Sequence, residues 1–111
     1  SEMCIRDRAF AAIKIAAAKN GQNNICLMGC NLGAGTDKVC EGLKAALEKE
    51  DLSVTILNNV LYDAEAMEKV SAAQGAVLVE KAGSTLYNEI VAELELLKRL
   101  EIPVLGGITV E

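Results

Sequence analysis

Four short apolar runs punctuate the chain at residues 25–28, 54–57, 76–79 and within 102–110, and the segments between them repeat apolar residues at helical spacing. Strands this short and this uniformly apolar are buried on both faces, as in a parallel sheet covered by helices above and below. Reading outward from the runs gives the order α-β-α-β-α-β-α-β. The expected fold class is therefore α/β: three layers, with a four-stranded parallel sheet at the centre. Right-handed crossovers leave few topologies, and the order 2-1-3-4 places the first strand between the second and third. The switch point, where such sheets bind ligands, then lies at the end of the first strand.

Local signals agree with this plan. Residues 9–19 are Ala-rich and helical, with Phe10, Ile13 and Ala17 on one face, and Asn20-Gly21 supplies the stop. Thr36 or Asp37 can cap the next helix, on which Val39, Leu43, Ala46 and Leu47 recur, and Asp51 ends it. Asp63 can cap a short helix carrying Met67 and Val70, with Met67 read as packing. The last helix places Leu86, Ile90, Leu94, Leu97 and Leu100 on a ridge expected to face the sheet. Glu93, Glu95, Lys98, Arg99 and Glu101 are expected on its solvated face. Pro103 sits near the start of the last strand, where a missing N–H is tolerated.

Composition limits the chemistry. Formal net charge is −5 without a basic cluster, so nucleic acid is not an expected partner. No apolar stretch approaches the ~20 residues that span a bilayer, so direct membrane insertion of this segment is not expected. Cys4, Cys26, Cys30 and Cys40 show neither C-x-x-C nor zinc spacing, which favours reduced thiols and no metal site. There is no histidine, which removes Ser-His-Asp and Cys-His pairs and the usual near-neutral proton shuttle. Residues 1–8, SEMCIRDR, join no periodic pattern and resemble a translated adapter segment. They are set apart as non-native, residues 9–111 are read as one domain, and the chain is expected to be a fragment of a longer protein.

The loop at the switch point reads Gly29-Cys30-Asn31-Leu32-Gly33-Ala34-Gly35-Thr36 and joins a strand to a helix N-terminus. Glycines and the helix dipole make it a candidate anion-binding loop through Gly29, Cys30, Asn31, Gly33, Gly35 and Thr36. Phosphoryl transfer asks for more. A working P-loop has Lys then Ser/Thr after its last glycine, to neutralise phosphate and to hold Mg²⁺. Here those positions carry Thr36 and Asp37, and the second strand ends in Asn58-Asn59 instead of an acidic residue. No cofactor is expected, because ATP and Mg²⁺ lack their charged partners. A second loop, Lys81-Ala82-Gly83-Ser84-Thr85, offers Lys81, Gly83 and Thr85 as further candidates.

Residues 73–85, AQGAVLVEKAGST, resemble the "ADGVILVVRAGKT" stretch of bacterial tyrosine kinases, P-loop proteins of capsule and exopolysaccharide export. Residues 102–107, IPVLGG, resemble that family's closing "IPVLGVV" segment. The likeness extends loosely over residues 9–111, with one strand–helix section missing after the loop helix. By position, Gly33 and Gly35 match the loop glycines, Thr36 and Asp37 replace Lys and Ser/Thr, and Asn58 replaces the acidic residue. Lys81 takes an Arg position and Thr85 is retained. The closest likeness is to the degenerate kinase-like cytoplasmic domain of a chain-length-determinant (Wzz-type) membrane protein. That resemblance implies a truncated P-loop fold and a non-catalytic regulatory role in polysaccharide chain length. It also implies a cytoplasmic position beside the inner membrane. The parent membrane protein, polysaccharide-assembly components or a second copy of the chain would be its partners. Two alternatives stay open. The loop from Cys30 to Thr36 also resembles the phosphocysteine loop of sugar-phosphotransferase B components, with Cys30 as the catalytic nucleophile. The other is an ATP-binding kinase or ATPase with a rearranged loop.

Overall fold

Alternation along β1 (Asn24–Gly29) sends Ile25 and Leu27 to one face of the sheet and Cys26 and Met28 to the other, and all four are buried. A strand buried on both faces needs a cover on each, and the computed structural model, which describes residues 2–111, supplies both. The other elements are α1 (Glu2–Lys19), α2 (Ala34–Glu48), β2 (Ser53–Asn58), α3 (Ala64–Val70), β3 (Gly75–Lys81), α4 (Tyr87–Arg99) and β4 (Val104–Val110). The four strands form one parallel sheet in the order β2-β1-β3-β4, as the sequence predicts. No helix among the described residues is long and apolar enough to cross a membrane.

One cluster joins Ile13 of α1 and Leu43 and Leu47 of α2 to Ile25, Leu27, Val54, Val77 and Val79 of the sheet. The opposite cluster joins Ala66 and Val70 of α3 and Leu97 of α4 to Cys26, Met28, Leu57 and Ala76. The layer order is thus α1/α2, sheet, α3/α4. β3 crowds β1 at Gly29, where a Cβ would lie 2.3 Å from the Val79 carbonyl oxygen. Glycine is required there by space.

Several local expectations change. α1 begins at Glu2, so the backbone carries no break at Ala9. Gly33, not Thr36 or Asp37, is the N-cap of α2, and Thr36 lies inside the first turn with no exposure. Asp63 caps α3 as expected, accepting from the amides of Glu65 and Ala66. Met67, read as packing, is exposed on that helix.

The largest correction concerns α4. Leu86, Leu94 and Leu100 of the expected ridge are exposed, Ile90 is half-buried, and only Leu97 is buried. The face turned inward carries Glu89, Glu93, Leu96 and Leu97, at steps of four, three and one. Glu93, assigned to solvent from sequence, is 1% exposed.

Candidate functional site

Parallel strands leave their carboxyl ends on one edge of the sheet, and four segments meet there: the loop after β1, residues 58–62 after β2, the loop after β3, and the first two turns of α4. The register pairs Gly29 with Asn58, which sets the β1 loop against the end of β2. Asn31 and Asn59 both adopt left-handed backbone, with φ of 56° each, a conformation that Asn tolerates better than most residues.

Those two turns lock together through side chains. The Asn31 amide donates to Asn59 Oδ1 at 2.9 Å, and the Leu32 amide to Asn58 Oδ1 at 3.3 Å. Asn58 Nδ2 returns a bond to the Leu32 carbonyl at 3.4 Å. Two of the loop's amides, those of Asn31 and Leu32, are therefore engaged within the chain. The second loop is tied in through Thr85, whose hydroxyl accepts from the Lys81 amide at 2.8 Å and donates to the Cys30 carbonyl at 3.0 Å. Gly83 supplies the left-handed turn between them, with φ of 80°.

Every candidate residue from the sequence thus falls on this edge. Gly29 ends β1 and Cys30 is fully buried, while Asn31 is bonded as above and Gly33 caps α2. Gly35 and Thr36 lie in the first turn of α2, and the Thr36 hydroxyl is buried without a partner. Lys81 ends β3. Cys4 falls outside the residues whose side chains are described.

Sequence reading missed Glu89, Glu93 and Tyr62. Glu89 accepts from Asn31 Nδ2 at 3.0 Å through both oxygens, from the Tyr62 hydroxyl at 2.5 Å and from the Leu86 amide at 2.8 Å. The Tyr62 bond, then the Leu86 amide, hold the Glu89 carboxyl below its usual range, although burial opposes them. The same bond pushes the Tyr62 phenol up. Glu93, one turn on, lies beside the Cys30 thiol. Burial first, then the charges of Glu89 and Glu80, raise Glu93 from 4.5 to about 7. Burial, reinforced by the Glu93 and Glu89 carboxylates, pushes Cys30 up to about 11. At neutral pH Cys30 is a thiol.

This geometry sets an acidic lining beside the β1 loop. Two carboxylates and a phenol occupy the space beside the loop, and phosphate there would meet like charge. Among the described residues, no group of three or more metal-ligating side chains assembles. The signal that could have found Glu89 and Glu93 was their own spacing, because i, i+4, i+7, i+8 with Leu96 and Leu97 is a complete helical stripe.

No family model and no curated protein matches the chain. Among solved structures, unliganded arylmalonate decarboxylase superposes with a TM-score of 0.56 at 22% identity, over 87% of this chain and 45% of that one. The likeness is one of fold. The chain spans less than half the length of that structure.

Proposed function

We propose that the chain is a non-catalytic regulatory and docking domain of a polysaccharide chain-length regulator or co-polymerase, acting at the cytoplasmic side of the inner membrane in capsule or exopolysaccharide biosynthesis. The observation that carries the non-catalytic part is the closure of the β1 loop by Asn58 and Asn59, whose side chains take the Leu32 and Asn31 amides. Thr36 and Asp37 remove the cation and the metal ligand that a nucleotide needs there. Burial and the neighbouring carboxylates keep Cys30 protonated, which disfavours the phosphocysteine alternative. The polysaccharide context rests on the resemblance at residues 73–107.

A docking role has a surface to act through. Leu86, Tyr87, Val91 and Leu94 are exposed on α4 and follow its axis at helical spacing. Their partner in this reading is the polysaccharide-assembly machinery that the parent membrane protein brings alongside.

The test has two arms. Millimolar MgATP is expected to leave the unfolding temperature unchanged, whereas ligand at a hundred times its Kd would stabilise by about 2.7 kcal/mol. In a host that makes polysaccharide with the parent protein, Leu94→Asp is expected to alter the polymer's length distribution while the protein still accumulates. Nucleotide turnover, or a stable thiophosphate on Cys30, would overturn the reading. So would an upstream gene sequence encoding phosphotransferase components instead of two transmembrane helices flanking an extracytoplasmic domain.

A further inference from the structure

Glu93 is buried to 1% exposure, and its Oε1 has no hydrogen-bond partner. Protonation does not cure this. The ionised form leaves a charge uncompensated, and the acid form still carries a polar oxygen without its complement. Buried polar groups are almost always paired, so an orphan carboxylate oxygen marks a place that something else completes.

Glu93 lines a cleft of about 280 Å³ between α4 and strands β3 and β4. α4 lies over β3 and leaves the facing side of β4 uncovered, and Gly107 adds no side chain to fill the gap. Leu78 and Ile90 provide apolar wall, while Glu80 and Thr109 add polar atoms, with Thr109 Oγ1 donating to Glu80 Oε1 at 2.7 Å. The ionisable groups around Glu93 are Cys30 from the β1 loop, Glu80 from β3, and Glu89 from its own helix, with Tyr62 bonded to Glu89. None of these is a cation.

The lining selects among ligand classes. An anion would meet Glu80 and Glu93 together. A metal ion would need at least three ligating side chains arranged around it, and no such group assembles among the described residues. An alkylammonium or guanidinium group requires acceptors for its head and apolar contact for its stem, and the cleft offers both.

We propose that the α4–β3–β4 cleft binds a cationic group on a methylene stem, with Glu93 and Glu80 receiving the cation and Leu78 and Ile90 covering the stem. Two sources share this chemistry: a lysine or arginine side chain of a partner polypeptide, and a free alkylamine. The site stands on the cleft alone and holds whether or not the protein serves polysaccharide assembly. A cation favours the ionised form of Glu93, so binding releases a proton and strengthens as pH rises through about 7.

The experiment is an amide-shift titration of the ¹⁵N-labelled protein with n-butylamine, with a short peptide bearing one central lysine, and with butan-1-ol as the uncharged control. Saturable shifts at Glu80, Ile90, Glu93, Gly107 and Thr109 are expected from the amines at millimolar concentration, and none from butan-1-ol. Affinity should rise between about pH 6 and about pH 8. Glu93→Gln should weaken binding by at least about tenfold. Gly107→Leu should do the same by filling the cleft without touching a carboxylate, because a Cβ there meets only the Leu78 carbonyl oxygen at 3.8 Å. Glu95→Gln, on the exposed face of α4, should leave binding unchanged. Tighter binding of the peptide assigns the ligand to a polypeptide, and tighter binding of butylamine assigns it to a free amine. Either result supports the site. Absence of saturable shifts with both amines, equal shifts with butan-1-ol, or parental affinity in both cleft variants would overturn it.

Discussion

Glu93→Gln also tests the electrostatics of the site through stability alone. Folding carries the Glu93 carboxyl from 4.5 to about 7, chiefly by burial. The folded state therefore binds this proton more tightly than the unfolded state. Its contribution to stability is complete below about pH 4.5 and is lost progressively as pH rises through about 7. A difference of roughly two and a half units at 1.36 kcal/mol each makes the loss about 3 kcal/mol. That is a large share of the ~5–15 kcal/mol available to a domain.

Glutamine has the same shape and does not titrate. Its buried amide adds a cost of about 1–3 kcal/mol that is nearly independent of pH. The diagnostic quantity is the change in the difference between the two proteins, because every other carboxyl is common to both. Urea unfolding at several values from about pH 4 to about pH 8 should show the parent losing about 3 kcal/mol relative to Glu93→Gln. Glu89 does not confound this, since its carboxyl is held low and its contribution is lost at the acid end in both proteins. Parallel profiles across the range would refute the burial of Glu93 on the inward face of α4.

Other substitutions probe the rest of the edge. Thr36→Val removes a buried hydroxyl without a partner, and should be neutral or stabilising by up to about 1 kcal/mol in urea unfolding; a loss beyond that would mean the hydroxyl is satisfied. Gly29→Ala places a Cβ 2.3 Å from the Val79 carbonyl oxygen. It should cost more than about 3 kcal/mol, and a parental urea midpoint would refute the close approach of β1 and β3. Cys26, Cys30 and Cys40 are buried, with thiols pushed up to about 12, 11 and 11. Peptide mapping after brief alkylation at neutral pH should find all three unmodified, and rapid labelling of Cys30 would contradict the thiol assignment.

The sheet was legible because each strand is an apolar run too short for a helix, and its order followed from handedness and the position of the first strand. Cap chemistry was legible where the side chain does the capping, as at Asp63. It was misleading at Thr36, because the backbone turn at Gly33 starts the helix two residues earlier than the last loop glycine suggests. The face of α4 was misread for a related reason. Counting leucines presumes that burial is driven by area, at about 25 cal/mol per Å². Here Glu89 bonds to Asn31, Tyr62 and the Leu86 amide, and these bonds hold it on the inward face of the helix. Such bonds reach across 27 and 58 residues of sequence, and no local pattern announces them.

In the reading proposed above, the residues around the β1 loop act as a set. A loop built to hold phosphate aims backbone amides at an anion, and without the anion those amides need other acceptors. Asn58 and Asn59 provide them, where an acidic residue would hold a metal in a working P-loop. Beside the loop, Glu89 serves as the acceptor for Asn31 Nδ2. Thr36→Lys should therefore fail to create ATP affinity by itself. The new ammonium would be buried where Thr36 has no exposure, and the Asn31 and Leu32 amides would still be held by two asparagine side chains. Tight MgATP binding by that single variant would mean that the loop is open, and the closure by Asn58 and Asn59 would then be wrong.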